Sequence, residues 1–397
     1  MQKLLLAVVG ALALAAPAQA READVRFATF NASLNRNVAG QLVADLSTPN
    51  NAQAAAVAEI VQRVRPDVLL INEFDFAPAA VGLFQQNYLS VPHNGAGPIV
   101  YPYTYIAPSN TGIPSGKDLN NAGGVVSTPG APGYGDDSFG FGAFPGQFGM
   151  VVYSRYPIDP LGVRTFQLFK WKDMPGNLIP QPFYSPDEVD ILRLSSKSHW
   201  DLPIRIEGKT VHFLVSHPTP PVFDGPEDRN GTRNFDEIRF WADYITPGAT
   251  SRYIYDDAGN EGGLKPGELF VIAGDQNSDP LDGDSIPGAI QQLIEHPLVN
   301  TKVTPESAGA VEATALQGGA NLAHRSDPRF DTADFADGAP GNLRADYVLP
   351  RKTLQIAGAG VFWPILADPL SRLTGVFPFP SSDHRSVWVD VSVPGVR

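Results

Sequence analysis

Apolar positions along the chain fall into short runs broken by Gly, Pro, Asn and Asp. Eight runs have the length and flanks of buried strands: Val25–Phe30, Val68–Asn72, Met150–Tyr153, Ile204–Ile206, Val211–Ser216, Leu269–Gly274, Ala345–Leu349 and Ser386–Val391. Two segments carry helical spacing. Asn51–Val64 follows Ser47-Thr48-Pro49 and is rich in Ala, Gln and Glu. Thr232–Ile245 places Phe235, Ile238, Trp241, Ala242 and Ile245 on one face. Ile286–Ile294 predicts a third helix. Strands mixed with helices over one long chain predict an α/β layered domain. Residues 93–149 show neither period and are rich in Gly, Pro, Tyr, Asn and Ser. So long a loop within a domain is functional or mobile. It reads either as an insertion near the site or as a surface excursion. With no internal repeat and no linker, residues 21–397 read as a single domain.

Composition narrows the picture. The 38 Gly and 37 Pro among 397 residues exclude a helical bundle or coiled coil, and 43% hydrophobic content excludes wholesale disorder. Against 42 Asp+Glu stand 29 Lys+Arg, a net charge of −13. That balance argues against a protein that coats nucleic acid, whose affinity comes from Lys and Arg. It leaves room for a phosphate-handling enzyme in which metal ions carry the positive charge. At the start, Lys3, the apolar run Leu4–Ala16 and Ala18-Gln19-Ala20 form the pattern of a secretory signal peptide over residues 1–20. This predicts a secreted or periplasmic protein; an uncleaved anchor is the alternative. No later run is long enough to span a membrane. With no Cys, any metal site must use oxygen or imidazole ligands, which favours Mg²⁺, Mn²⁺ or Ca²⁺ over a thiolate zinc site.

Candidate chemistry sits at the ends of the strand-like runs. Asn31, Glu73 and His217 each follow one, Asp275 and Asn277 follow another, Asp346 opens one, and Asp383 and His384 precede the last. Singly, each reads equally well as a turn former or a satisfied histidine; together they form a pattern. The pieces Thr29-Phe30-Asn31, Ile71-Asn72-Glu73, Ser216-His217, Gly274-Asp275-Gln276-Asn277, Arg344-Ala345-Asp346-Tyr347 and Ser382-Asp383-His384 stand in one order along most of the chain. In these pieces the sequence resembles the endonuclease/exonuclease/phosphatase superfamily, which includes deoxyribonuclease I, abasic-site endonucleases, inositol-polyphosphate phosphatases and bacterial sphingomyelinases. The resemblance implies a four-layer α/β/β/α sandwich of two packed mixed sheets, with the site at one sheet edge. It implies that Glu73 binds metal beside Asn31, that Asp383 contacts or flanks the metal, and that Asp275 orients the attacking water with help from Asn277. It implies a carboxylate–imidazole pair in Asp346 and His384, and a second phosphate-contacting histidine in His217. Arg385-Ser386 departs from the small or aromatic residue and proline of many relatives, which bears on substrate class.

Elementary chemistry fits these roles. Phosphoester hydrolysis needs a placed water and counter-charge for the phosphoryl oxygens. Mg²⁺ takes one or two carboxylates plus water and substrate oxygens. An aspartate beside His384 favours imidazolium. Carboxylates about 4 Å apart repel by roughly 4 kcal/mol at an effective dielectric near 20, so four in one cleft call for a divalent cation. Arg229 and Arg233, within Asp228–Asn234, open a helix and read either as a phosphate clamp or as part of an ordinary capped turn. Asp279–Ser285 lacks the closing Glu of a calcium loop and reads as a polar turn, and His199 reads as support for a sheet edge. Tyr101, Tyr103, Tyr105 and Tyr134 either stack on a base, cover an apolar headgroup or pack the insertion. The expected protein is a monomeric, secreted, metal-dependent phosphoesterase acting on mono- or diesters through an activated water. A deoxyribonuclease-I-like nuclease is the alternative within the class, with nucleic acid disfavoured by charge. A non-catalytic binding module on the same fold is the alternative outside it.

Overall fold

The computed structural model describes residues 24–395; the expected signal peptide lies outside the described residues. In chain order the strands are β1 (Asp24–Leu34), β2 (Val68–Phe74), β3 (Tyr103–Tyr105), β4 (Met150–Ser154), β5 (Arg164–Thr165), β6 (His199–Ile206) and β7 (Lys209–Ser216). They continue with β8 (Leu269–Asp275), β9 (Ala333–Asp334), β10 (Asn342–Leu343), β11 (Asp346–Pro350), β12 (Gln355–Val361) and β13 (Val387–Ser392). One sheet has the order β12-β13-β1-β2-β4-β3, the other β11-β8-β7-β6-β5, and β9 and β10 form a small ribbon. β1 pairs parallel to β2 and β7 parallel to β8, and the remaining pairs are antiparallel, so both large sheets are mixed.

Alternation along the strands decides the layering. Val25, Phe27, Val68, Leu70, Val211, Phe213, Val215, Val271, Ala273, Val387 and Val389 share one cluster between the sheets. The opposite faces supply Ala28, Phe30, Leu69 and Ile71 to a core with Val57, Ile60 and Val61 of the Ala52–Val64 helix. On the other side Leu214, Phe270 and Ile272 pack with Ile238, Trp241 and Ile245 of the Arg229–Ile245 helix. The result is the expected α/β/β/α sandwich. Phe27 and Phe213 meet across the middle with ring centroids 5.5 Å apart; truncating Phe27 to Ala would cost about 3–5 kcal/mol.

Local signals explain the helix ends. Asn51 caps the Ala52–Val64 helix by accepting from Ala54 N at 2.9 Å, and left-handed Arg65 ends it. The Ile286–Ile294 expectation shrinks to Gln291–Ile294, because Gly288 takes a φ of +94° and interrupts the preceding turn. Within 93–149, β3 joins the six-stranded sheet as its edge strand beside β4. Tyr101 and Tyr134 in the same segment are buried, with the Tyr101 hydroxyl donating to Pro66 O at 2.8 Å, and Tyr105 packs on Trp200 at 5.1 Å. Those tyrosines therefore pack the segment onto the fold. No helix among the described residues is long and apolar enough to cross a membrane.

The same alternation sets up the site. On the inter-sheet face apolar side chains give way toward one edge to Thr29, Asn31, Asn72, His217, Asp275 and Asp346, all buried.

Candidate active site

Register brings distant residues to this edge. Asn31 pairs with Asn72 across β1–β2, and Asp275 with Asp346 across β8–β11. Asn31 Nδ2 then reaches over from the first sheet and donates to Asp275 Oδ2 at 3.1 Å. The same oxygen lies 3.3 Å from His217 Nε2 and 3.6 Å from His384 Nε2. Asp275 Oδ1 accepts the backbone N–H of Asn277 at 2.9 Å, in a turn that Asn277 enters with φ +50°. On its far side His384 Nδ1 lies 2.8 Å from Asp346 Oδ2. Ser382 ties the last segment down: its hydroxyl donates to Asn31 O at 2.7 Å and accepts from His384 N at 3.1 Å. Glu73, half-buried with φ +57°, ends the β2 run beside Asn31, and Asp383 is half-buried next to Ser33.

The electrostatics follow from burial and neighbours. Burial opposes charge on His384, but Asp346 and Asp275 outweigh it and hold its pKa well above the ordinary value, so the ring is imidazolium at neutral pH. Burial alone would raise Asp275; His384 and His217 instead hold it well below the usual carboxylate range. An anion so stabilised is a weak base, suited to orienting a water. Burial, then the charge of Lys197, lowers His217 to about 4, against the pull of Asp275, so that ring is neutral. Burial and the charge of Asp383 raise Glu73 to about 7.

The structure thus brings together Asn31, Glu73, His217, Asp275, Asn277, Asp346, Asp383 and His384. The side-chain amide of Asn277 donates to Pro218 O at 3.1 Å, so it anchors the His217 turn as well. Arg229 and Arg233 do not join the group, and the phosphate-clamp reading is replaced by a structural one. Arg233 donates to the carbonyls of Leu194, Phe139 and Arg193 at 2.8, 2.6 and 2.9 Å. Arg229 pairs with Glu227 and lies over the Phe183 ring. Asp279 accepts the N–H groups of Leu281, Asp282 and Arg344, as a polar turn should. His199 is buried between Ser195 Oγ at 2.5 Å and Glu237 O at 2.9 Å. Arg385, fully buried, pairs with Asp334 at 2.9 Å and braces the turn that carries His384.

Sequence reasoning missed four residues of this neighbourhood. Asn72 Oδ1 accepts from Thr29 Oγ1 at 3.1 Å and from Asp275 N at 3.3 Å, and Asn72 Nδ2 donates to Ser216 O at 3.4 Å, which stitches the two sheets. Thr332 Oγ1 donates to Asp346 Oδ2 at 2.8 Å and accepts from Ala345 N and Asp346 N. Asp75 accepts from Arg36 N and Phe148 N, joining the loop after β1 to the end of the 93–149 segment. Lys197 is buried near His217. The inward parity of Asn72 was a usable signal; nothing in the sequence pointed to Thr332.

Two carboxylate groupings bear on metal binding. Ligand atoms of Asp275, Asp346 and His384 lie within 4.8 Å of one another. There each ring nitrogen of His384 already faces a carboxylate, Nδ1 at 2.8 Å from Asp346 and Nε2 at 3.6 Å from Asp275. Glu73 with Asp383 fits a cation better: burial and the neighbouring Asp383 charge penalise ionisation of Glu73, and Asn31 supplies an adjacent amide oxygen.

Residues 28–384 match the model of the Endonuclease/Exonuclease/phosphatase family. Among solved structures, the chain is similar to the endonuclease/exonuclease/phosphatase from Beutenbergia cavernae DSM 12333, at 18% identity and TM-score 0.48, covering 95% of this chain and 73% of that one. It is similar to sphingomyelinase C from Streptomyces griseocarneus at 14% identity and TM-score 0.45, covering 93% and 99%. It is also similar to a beta toxin variant from Staphylococcus aureus with bound magnesium ions, at 12% identity and TM-score 0.44, covering 94% and 100%. A search of curated proteins finds no match to the chain.

Proposed function

The chain belongs to the endonuclease/exonuclease/phosphatase family, and from that premise and the site geometry we propose that it is a divalent-metal-dependent phosphoesterase hydrolysing phosphate mono- or diesters. The observation that carries this reading is the Asp275 carboxylate, whose Oδ2 is met by Asn31, His217 and His384 at 3.1, 3.3 and 3.6 Å. Asp275 and the turn at Asn277 orient a water for in-line attack. The His384 imidazolium, fixed by Asp346, donates a hydrogen bond to a phosphoryl oxygen as charge develops there. His217 would make the second phosphate contact by sharing its single N–H between Asp275 and a phosphoryl oxygen. Mg²⁺ or Mn²⁺, held by Glu73 with Asn31 and Asp383, would supply Lewis-acid counter-charge to the phosphoryl group, with Ca²⁺ a further candidate. The acidic balance favours compact esters over nucleic acid. The Lys3–Ala20 pattern supports export to the periplasm or medium.

The test is turnover of p-nitrophenyl phosphate and bis(p-nitrophenyl) phosphate with Mg²⁺, Mn²⁺ or Ca²⁺, comparing wild type with Asp275→Asn. The variant should lose about 10²- to 10⁴-fold in kcat. A wild type silent on every ester with every ion, or a variant equal to it, overturns the reading.

A further inference from the structure

Lys197 differs from the inward-lying arginines. Arg164 and Arg385 hold carboxylates, and Arg233 holds backbone carbonyls. Lys197 keeps only 7% exposure, yet among the described residues its ammonium has no hydrogen-bond acceptor and no carboxylate within ion-pair distance. Buried charges are normally paired, because removing an ammonium from water is expensive. A nearly buried ammonium whose only partner is the solvent it still touches is placed to take an anion.

Its surroundings place that site in the cleft. β6 and β7 pair with His199 opposite Ser216. The segment just before this pair, which carries Lys197, runs past the His217 turn. Ser196 Oγ contacts His217 O at 3.4 Å. The charge on Lys197 is felt by His217, and Lys197 in turn feels Glu237 most, then Asp275 and Glu73. Glu237, behind it, is already occupied: it accepts from Ser196 N at 2.6 Å, Ser196 Oγ at 3.0 Å and Thr219 N at 2.7 Å.

The segment bearing Lys197 is clamped. Its carbonyl accepts from Asn110 N at 2.8 Å, and Asn110 Nδ2 donates to Ser195 O at 2.8 Å. Gly140 closes over the next carbonyl so tightly that a Cβ there would lie 1.8 Å from Ser196 O. Both clamp residues belong to the 93–149 segment.

We propose that the Lys197 ammonium is a phosphate-binding group of the cleft, held in place by Asn110 and Gly140. It supplies the counter-charge that Arg229 and Arg233 do not. The inference rests on the phosphoesterase reading for its substrate but makes a separate claim about an anion site. Lys197→Met should weaken binding of inorganic phosphate, titrated calorimetrically in Mg²⁺ buffer, by about 10- to 100-fold, the range for one charge-assisted hydrogen bond. Lys197→Arg should recover part of it. Because an unpaired buried charge is removed, the methionine variant should melt at or above the wild-type temperature. Asn110→Ala should weaken phosphate binding in the wild type but add little in the methionine background.

Phosphate affinity within about twofold of wild type in folded Lys197→Met overturns the proposal. So does a clear loss of melting temperature in both Lys197→Met and Lys197→Gln, which would make Lys197 a structural counter-ion to Glu237. Loss of phosphate binding together with a wild type inactive on every ester keeps the anion site and sinks the hydrolase reading. Turnover in wild type that is unchanged in Lys197→Met does the reverse.

Discussion

Asp346 Oδ2 receives His384 Nδ1 at 2.8 Å while the other ring nitrogen faces Asp275 at 3.6 Å. The imidazole is therefore a bridge between two carboxylates from neighbouring strands. Its proton is more tightly held in the folded chain than in the unfolded one. The stability it contributes is full below the unfolded value near 6.5 and is lost as pH rises through the higher folded value.

Asp346→Asn should therefore act on charge more than on shape. With one carboxylate gone, His384 loses its proton nearer neutrality. The alkaline limb of the kcat/KM profile should move down by about one unit or more, and activity at pH 7 should fall by about 10². Profiles measured from pH 5 to 10 check this; an alkaline limb in the wild-type position would show that Asp346 does not set the charge of His384.

Asn72 offers a different test, because it touches no reacting group. Asn72→Ala leaves the buried N–H of Asp275 and the Ser216 carbonyl without their partner. The expected cost is about 1–3 kcal/mol in urea unfolding, with a lower kcat as the two sheets lose their shared register at the site. Unfolding midpoints and kcat both equal to wild type would remove Asn72 from the positioning set.

Glu73 and Asp383 predict the response to ions. Burial and the Asp383 charge lift Glu73 to about 7; a divalent cation reverses that penalty. Saturating Mg²⁺ or Mn²⁺ should raise the melting temperature, by about 2.7 kcal/mol of added stability at a hundred times Kd, and EDTA should abolish the shift. Glu73→Gln should lose most of the shift. Thermal scans identical with ion, with EDTA and in the variant would refute a cation at this pair.

The legible parts of this molecule are those written by local pattern. All eight expected strands exist because alternation and flanking turns belong to each run separately. β12 escaped because its residues are small: Gly360 lies under the Trp388 ring, where a Cβ would come within 2.5 Å, so the strand carries glycine where a bulky residue would announce it. Strand-end acids and histidines could be read, since a polar group closing an apolar run is conspicuous. Thr332 and Lys197 could not, because their meaning lies in surroundings that only the fold supplies. Arg233 was misread for the same reason: a helix N-terminus suggests an anion, yet the carbonyls of Leu194, Phe139 and Arg193 reach the guanidinium first.

Asp331 gives the sharpest pH test of the fold itself. It is buried at 2% exposure, its Oδ1 has no partner, and burial together with Asp279, Asp282 and Asp327 raises its pKa to about 8. The folded chain then keeps a proton that the unfolded chain, with an ordinary value near 3.8, has released. Stability must fall as pH climbs from the lower value to the higher one, by up to about 1.4 kcal/mol per unit, and level off above it. Asp331→Asn has the shape of the protonated acid without the proton to lose. Near pH 4 the two proteins should melt alike, and the variant should pull ahead steadily up to pH 8. Calorimetric melting curves at four or more pH values between those limits decide the matter: parallel curves would mean that Asp331 is ionised in the folded state and that a counter-charge lies beside it.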